Sequence, residues 1–397
     1  MKDFITYLIG IPLLFLSCQK TPHSSSEIEV IDLSNSYNKE NKLLLSDIAY
    51  DLTYIRLQTD SSCFVDRINN PLSDIKFSND RLFINDGSQL LSFDFNGKFL
   101  NKIGKLGKGP GEFIHIDNFT ILDTLVVIFS QAQQTAFLYT FDNKFINDIN
   151  INFWPKSLSS LNNKYMVFGN SKGFRNFSKY FTLSILDKRG TLINNLINNK
   201  WAEKIEIAPN ITTQLYHYYD SLSYWEFQYD TIYRVIDEKR VIPRYYINPG
   251  KDKMPFELLL KSEISSNKTD AYVKIWRFIE TKRYFFFRVG HKIHLKHIIY
   301  DKYNHQGYNV LFSQNETKYV FFENDIDGGL PFWPLGNVNG NKVFSLFYGN
   351  ELKDYLKKSP LNNRFKVSKD KYNNLQDLAN KVKIIDNPIL MMVTLKE

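Results

Sequence analysis

The sequence predicts an all-β fold, a six-bladed β-propeller with short helical insertions. Two observations lead to this fold class. Short apolar runs alternate with turn residues, and the pattern repeats at intervals of about 40 to 50 residues, the spacing of propeller blades. Aromatic residues make up 15% of the 397 residues, with 24 Tyr and 32 Phe, which is typical of strands. Such units fill residues 28–397, which we expect to form one propeller domain.

The repeat is clearest in the first two units, at residues 74–103 and 119–151. Each contains short strand-like runs separated by turns such as Asp86-Gly87, a strong hairpin signal. Between the two units, residues 107–113 carry three glycines and a proline, which exclude a helix or a central strand. No Ser or Thr follows the Gly-Lys pair of this loop. We therefore interpret it as the link between two blades and not as a phosphate cradle.

The remaining units are less regular, and we place them at residues 154–197, 207–248, 275–312 and 319–347, the last joined to a final strand at 389–395. A strand at residues 52–57 is expected to pair early or to close the ring. Apolar residues at helical spacing predict helices at residues 253–265 and 369–383.

The N-terminus has the pattern of a targeting segment. Lys2 precedes an apolar run, residues 4–16, that is too short to span a bilayer. The run ends in Phe15-Leu16-Ser17-Cys18, which looks like the lipobox of a bacterial lipoprotein. We expect a signal peptide at residues 1–17, lipidation of Cys18 and a flexible tether at residues 18–27, so that the membrane is a partner through the lipid anchor. An ordinary signal peptide that contains a cysteine is the alternative.

The cysteine and charge counts bear on disulfide bonds and on nucleic-acid binding. With Cys18 lipidated, the second cysteine, Cys63, has no disulfide partner. The formal net charge is +8, but the basic residues are scattered along the chain. Because no basic stripe or recognition motif accompanies this charge, we expect no nucleic-acid partner.

Several motifs together give the chain a resemblance to a known family. They are Ile103-Gly104 with residues 107–113, Tyr229-Asp230-Thr231-Ile232-Tyr233-Arg234, Asn324-Asp325-Ile326-Asp327-Gly328-Gly329 and Asp386-Asn387-Pro388-Ile389-Leu390. With these motifs the chain resembles the six-bladed β-propeller lipoproteins widespread in Bacteroides-type bacteria, which are related to NHL-repeat propellers. The resemblance covers residues 28–396. It implies the fold and a location in the bacterial cell envelope, but it does not imply a catalysed reaction.

The resemblance also bears on the membrane side. Lipoproteins exported to the surface of these bacteria tend to carry acidic residues just after the lipidated cysteine. Here Glu27 is the first acidic residue after Cys18. This favours an outer-membrane anchor that faces the periplasm, with the cell surface as the alternative.

Ligands of propellers bind at one end of the central channel, and aromatic faces suit sugar rings or apolar parts of peptides. The predicted ligand-binding residues at the channel are Trp225, Trp276, Arg283 and Trp333, with Trp154, Arg175, Arg277 and His217 as further candidates. The alternative is that the tryptophans pack between blades and the charged residues form surface ion pairs.

The sequence gives little support for a metal or a catalytic set. Asp325 and Asp327 resemble a fragment of a calcium loop that lacks its Glu, so an Asx-type turn is the alternative and we expect no cofactor. Residues 284–288 and 293–300 are expected to pair around Gly290. Because side chains alternate faces along a strand, His294 would point away from His291 and His297, which disfavours a metal site. Asp220 with Glu226 is a carboxylate pair whose separation the sequence does not define.

These observations favour a binding or scaffold lipoprotein that presents its ring to a glycan, a peptide or an envelope partner. The absence of a recognisable catalytic motif supports this hypothesis over an enzyme. The alternative is a propeller enzyme that uses the channel, such as a calcium-dependent lactonase-like enzyme, a lyase or a glycoside-acting hydrolase. A structural role in an envelope complex predicts one large apolar face instead.

Overall fold

Six antiparallel sheets are arranged as the blades of a propeller around a central channel, as the sequence predicts. The computed structural model of the chain describes residues 28–78, 80–170, 181–198, 213–227, 229–255, 258, 269–292, 294–314, 317–319, 321–358 and 367–397. The signal peptide, Cys18 and the tether predicted at residues 1–27 lie outside the described residues, as does Arg175.

Three strands precede the first blade, and the blades then follow in chain order. The leading strands are β1 (Glu29–Asp32), β2 (Glu40–Asn41) and β3 (Ala49–Arg56). Blade 1 contains β4 (Ile75–Phe77), β5 (Arg81–Asn85), β6 (Leu90–Asp94) and β7 (Phe99–Ile103), and is followed by the short strands β8 (Lys105–Leu106) and β9 (Glu112–Phe113). Blade 2 contains β10 (Asn118–Leu122), β11 (Leu125–Ser130), β12 (Thr135–Thr140) and β13 (Phe145–Asn150). Blade 3 contains β14 (Pro155–Leu161), β15 (Tyr165–Asn170), β16 (Phe181–Leu186) and β17 (Leu192–Asn198).

The second half of the ring repeats this order. Blade 4 contains β18 (Thr213–Tyr218), β19 (Ser221–Glu226), β20 (Thr231–Val235) and β21 (Val241–Asn248). Blade 5 contains β22 (Lys274–Glu280), β23 (Tyr284–His291), β24 (His294–Asp301) and β25 (Gln306–Val310), and is followed by the hairpin of β26 (Phe312–Gln314) and β27 (Thr317–Tyr319). Blade 6 contains β28 (Gly336–Asn339), β29 (Lys342–Phe347), β30 (Ile389–Leu395) and β3.

The N-terminal part of the chain closes the ring. Strand β3 pairs antiparallel with β30, with Leu52 opposite Val393, so that the two ends of the domain share blade 6. This confirms the ring-closing role that was one of the two options for residues 52–57. Strands β1 and β2 add parallel to the outer edges of blades 4 and 5.

Hydrophobic packing is distributed around the ring. Each boundary between neighbouring blades has its own apolar cluster. In β11, Val126 and Ile128 face blade 1, whereas Val127 and Phe129 face blade 3. Because both faces of each sheet are covered, strands read as continuous apolar runs and not as alternating patterns.

The glycine-rich loop joins blades 1 and 2, as predicted. Its two short strands pair in parallel, with Lys105 opposite Glu112. The Glu112 carboxylate accepts a hydrogen bond from the backbone N–H of Gly109 at 2.9 Å and one from Lys105 Nζ at 2.6 Å. The loop therefore satisfies its own polar groups and holds a turn between two sheets.

The described residues contain short α-helices at both ends of the domain. They are α1 (Leu45–Ile48), α2 (Pro71–Asp74), α3 (Gly349–Lys358) and α4 (Lys369–Lys381). Helix α4 confirms the prediction at residues 369–383, and it buries Leu375 and Ala379 against blade 6. The helix expected at residues 253–265 lies mostly outside the described part of the chain.

None of the helices in the described residues has the length and apolar character needed to cross a membrane.

Candidate functional site

The first strand of every blade, β4, β10, β14, β18, β22 or β28, lies at the inner edge of its sheet and borders the central channel. Three polar side chains from different blades meet in this channel: Lys76 on β4, Ser159 on β14 and His217 on β18. Blades 1 and 4 lie on opposite sides of the ring of six blades. Lys76 and His217 therefore approach each other across the channel.

His217 and Ser159 form a hydrogen-bonded pair. The distance between Ser159 Oγ and His217 Nε2 is 3.1 Å, and the backbone of Ser160 bonds the same imidazole. Ser159 is buried, whereas the His217 side chain is exposed although protein surrounds it, because it opens to the channel. Burial within the ring, and then the charge of Lys76, lower the pKa of His217 to about 4. The imidazole is therefore neutral at neutral pH and available as a hydrogen-bond partner.

Lys76 brings a positive charge into the channel without an ion pair. Its side chain is half-buried, with Nζ 5.7 Å from the centre of the Phe119 ring. Burial lowers the pKa of Lys76 to about 8, and the charge of Asp74 opposes this shift. No carboxylate of the described residues lies within ion-pairing distance of Nζ. An amine in this state attracts an anionic ligand and exchanges its proton near neutral pH.

A second polar cluster fixes the boundary between blades 4 and 5. The carboxylate of Glu280 is fully buried and accepts hydrogen bonds from Arg244, at 2.7 and 2.9 Å, from Lys302 at 3.2 Å and from Tyr216 at 2.9 Å. Every partner is tied to this one anion, so we interpret the cluster as structural. It positions β18, the strand that carries His217, against β22.

The predicted tryptophans occupy different environments. Trp225 is 2% exposed and packs in the core between blades 4 and 5, where its Nε1–H donates to the carbonyl of Tyr229 at 2.7 Å. Trp333 is 4% exposed and stacks on Phe322. Trp276 is 46% exposed and lies against Phe227. Only Trp276 offers a free aromatic face, so the three rings do not form one platform.

The predicted arginines also lie in different environments. Arg283 lies in the turn after β22, at the opposite end of this strand from Trp276, and its guanidinium pairs with Asp301 at 2.8 Å. Arg277 lies within β22 and has no ion pair among the described residues. Trp154 precedes blade 3 and is half-buried.

The weak calcium candidates are engaged in structural contacts. Asp325 accepts hydrogen bonds from the backbone N–H and hydroxyl of Ser46, at 2.9 and 2.5 Å. Asp327 accepts the Tyr54 hydroxyl at 2.7 Å and the N–H of Gly329 at 2.9 Å. Asn324 accepts the N–H of Ile326 in an Asx-type turn, the alternative considered above. The described residues contain no group of three acidic, histidine or cysteine side chains suited to a metal.

The expectation for the three histidines was wrong in one respect. The hairpin turn falls between His291 and His294, so these two histidines are paired across β23 and β24 and share a face. His297 lies on the opposite face. His291 Nε2 contacts Asp252 at 2.8 Å, and His294 is exposed. Likewise, Asp220 and Glu226 stand at opposite ends of β19, about 20 Å apart at the rise of a strand, too far for a hydrolytic pair.

Sequence reasoning identified His217 but missed Lys76 and Ser159. Lys76 stands between Ile75 and Phe77, and a lysine within an apolar run was the available signal. Ser159 belongs to the run Ser157-Leu158-Ser159-Ser160, which has no distinguishing motif. Their functional relation depends on which strands border the channel.

The fold and the channel define a six-bladed β-propeller with a polar, cationic interior. The profile of the family "Domain of unknown function (DUF4934)" matches residues 28–394, and the chain belongs to this family. No protein with a curated description is significantly similar in sequence.

One solved structure shares this fold, and two others are less similar. A Bacteroides fragilis protein whose name describes it as exported is 20% identical with a TM-score of 0.70, over 94% of this chain and 100% of that one. A DUF4221 family member from Bacteroides vulgatus is 10% identical with a TM-score of 0.46, over 90% and 99% of the two chains. Virginiamycin B lyase from Staphylococcus aureus is 11% identical with a TM-score of 0.38, over 67% of this chain and 75% of that one. At these identities the likeness concerns the fold alone.

Proposed function

We propose that this chain is an exported, lipid-anchored binding propeller of the cell envelope that takes an anionic group of a glycan, a peptide or an envelope partner into its channel. The observation that carries the proposal is Lys76, an ammonium group in the channel without an ion pair among the described residues. A buried or half-buried charge is costly unless it is compensated. A ligand with a carboxylate, sulfate or phosphate group supplies that compensation.

Anchoring rests on the sequence of the N-terminus. The Ser17-Cys18 pair after an apolar run supports lipidation, and the exported name of the Bacteroides fragilis protein agrees with an envelope location. Substituting Cys18→Ala should move the protein from the membrane fraction to the soluble fraction. Retention of the variant in the membrane fraction would exclude the lipid anchor. Protease accessibility in intact cells distinguishes the periplasmic side from the cell surface.

A thermal-shift panel tests the binding function. Acidic oligosaccharides, their neutral counterparts and acidic peptides are added to the purified protein, because a ligand of the folded state raises the melting temperature by mass action. We expect stabilisation by an acidic member and loss of this response in Lys76→Met. Lys98→Met, which removes an exposed lysine of blade 1, is the matched control. Stabilisation that is equal in both variants would contradict binding in the channel.

One observation favours an enzyme as the second candidate. The contact of 3.1 Å between Ser159 Oγ and His217 Nε2 places a hydroxyl beside a neutral base, the minimal arrangement of an activated nucleophile. A fluorophosphonate reagent tests this directly. Labelling of Ser159 that disappears in His217→Gln would favour acyl transfer. No labelling of Ser159 would leave the pair as a hydrogen-bonded part of the channel wall.

A further inference from the structure

Blade 5 carries a second cationic group that the proposed function does not use. Arg277, Arg288 and His297 lie on three consecutive strands, β22, β23 and β24. Arg277 is paired with Arg288, and Arg288 with His297. Residues paired in this way on antiparallel strands point to the same face of a sheet. The three side chains therefore form a row, which we name the arginine row, on the face of blade 5 toward blade 6.

The arginine row has no compensating anion in the described part of the chain. Neither arginine has an ion pair there, and Arg288 Nε is a buried donor without a hydrogen-bond partner. His297 is 4% exposed, and its Nδ1 also lacks a partner. Like charges directly opposite each other destabilise a sheet, and an unpaired buried donor has a further cost. Arg277 and Arg288 therefore contribute an unfavourable arrangement to the folded protein.

The surroundings of the row hold it in place. The rings of Phe321 and Trp333 meet the His297 imidazole edge-on, with centroid distances of 5.3 and 4.7 Å. Burial, followed by the charge of Arg288, lowers the pKa of Arg277. Burial, followed by the charges of Arg288 and Arg277, lowers the pKa of His297. Arg277 and Arg288 are both half-buried residues. The aromatic rings on one side and the hydrogen-bond donors of the arginines on the other form a site for a small anionic group.

We propose that Arg277 and Arg288 form an oxyanion-binding site at the boundary of blades 5 and 6. The ligand is a carboxylate, sulfate or phosphate group, either as a free inorganic ion or as the acidic group of a larger molecule. Two guanidinium forks match such a group because each presents parallel N–H donors to a pair of oxygens. Binding replaces repulsion between neighbouring cations with two charge-assisted contacts. This site is separate from Lys76 and stands whether or not a ligand occupies the channel.

Calorimetric titration of the purified protein tests the site. Inorganic phosphate, sulfate, acetate and glucuronate are titrated at constant ionic strength, and Arg277→Gln and Arg288→Gln are compared with the wild type. We expect at least one of these anions to bind, and each variant to weaken that binding at least tenfold. Tighter binding of glucuronate than of acetate would point to an acidic sugar, and tighter binding of phosphate or sulfate to a free tetrahedral ion.

Two controls separate this site from general charge effects. Arg189→Gln removes an exposed arginine of blade 3, and Lys98→Met removes an exposed lysine of blade 1; both should leave the affinity within twofold of the wild type. Failure of all four anions to bind the wild type would overturn the proposal, as would equal affinities in Arg288→Gln and Arg189→Gln.

A measurement on the unmodified chain keeps the proposal testable if a variant does not fold. Phenylglyoxal modifies accessible arginines, and mass spectrometry reports the extent of modification at each site. The anion that binds should slow modification of Arg277 or Arg288 and leave Arg189 unchanged. Equal rates with and without that anion at both row positions would overturn the site.

Discussion

Arg244 holds both carboxylate oxygens of Glu280, at distances of 2.7 and 2.9 Å, across the boundary between blades 4 and 5. Lys302 and Tyr216 bond the same carboxylate. A fully buried carboxylate is tolerated only when its charge and its oxygen lone pairs are satisfied. The cluster therefore links the two blades through polar contacts beside the apolar core of their boundary.

Removing the Glu280 carboxylate should destabilise the ring strongly. Glu280→Ala leaves Arg244 and Lys302 without their anion, and breaking a buried pair in this way costs about 3–5 kcal/mol. Chemical denaturation measures the change in the free energy of unfolding. Asp237→Asn, which breaks the exposed pair with Arg240, is the control and should cost about 1 kcal/mol or less. Similar losses in the two variants would contradict the structural role of the cluster.

Asn387 should be essential where the chain enters the last strand. Its amide Nδ2 donates to the carbonyls of Gln58 and Cys63 at 2.7 and 2.8 Å, and its Oδ1 accepts the N–H of Val65 at 2.8 Å. Asn387→Ala should cost several times the roughly 1 kcal/mol of a single hydrogen bond, because buried backbone groups lose their partners.

Asn387→Asp should be at least as destabilising as the alanine variant. A carboxylate places an acceptor where the carbonyls of Gln58 and Cys63 need a donor. Thermal unfolding of both variants gives the comparison. Asn341→Ala, which removes a single hydrogen bond of 3.4 Å to Glu397, is the control. An aspartate variant as stable as the wild type would contradict the assigned amide orientation.

The link between blades 1 and 2 should tolerate alanine at one glycine and not at another. Gly104 has a φ of 72°, and a Cβ there would lie 2.4 Å from the Phe113 ring. The nearest atom to a Cβ at Gly109 is the flexible end of Glu112, at 3.1 Å. We expect Gly104→Ala to cost more than 1 kcal/mol, the scale of a strained left-handed residue, and Gly109→Ala to cost less. Equal melting temperatures would show that the loop does not hold the blades in this geometry.

Burial of His297 should make stability depend on pH. Burial, and then the charges of Arg288 and Arg277, lower the pKa of His297 to about 3, and Phe321 and Trp333 cover the ring. Below about pH 6.5, the usual pKa of histidine, the unfolded chain binds a proton that the folded chain does not. The free energy of unfolding therefore falls as pH falls from about 6.5 toward 3, by at most about 1.4 kcal/mol per pH unit.

The matched variants isolate this contribution. His297→Gln removes one titrating group and should reduce the decline between neutral pH and pH 4, with the remainder due in part to His217, whose pKa is lowered to about 4. His294→Gln, at an exposed position, should keep the wild-type slope. Urea denaturation at several pH values measures both slopes. A wild-type slope in His297→Gln would mean that other groups dominate acid destabilisation.

The blades could be predicted because their signals are local. Apolar runs and Asx-Gly turns recur along the chain, and the run Val126-Val127-Ile128-Phe129 indicates a strand buried on both faces. The hairpin turn, expected at Gly290, falls between His291 and His294 because Lys292 adopts a positive φ of 50°, a conformation that normally favours glycine. The neighbouring Gly290 gave the misleading signal.

The channel could not be assembled from sequence. Lys76, Ser159 and His217 meet only because three inner strands border the same channel, and inner position is set by sheet order, which leaves no mark on a short strand. Trp225 and Trp276 look alike in sequence, yet one is core and the other is exposed. Aromatic content predicted the fold better than the binding residues, because packing between blades uses the same side chains as ligand recognition.

The most direct test of the account is the affinity of the best acidic ligand from the thermal-shift panel for the wild type, Lys76→Met and Lys98→Met, measured by calorimetry on both sides of pH 8. Because the pKa of Lys76 is about 8, affinity should fall as pH rises past this value and the ammonium loses its proton. We predict at least tenfold weaker binding in Lys76→Met and no change in Lys98→Met. Equal affinity in all three proteins, without dependence on pH, would contradict the channel as the binding site.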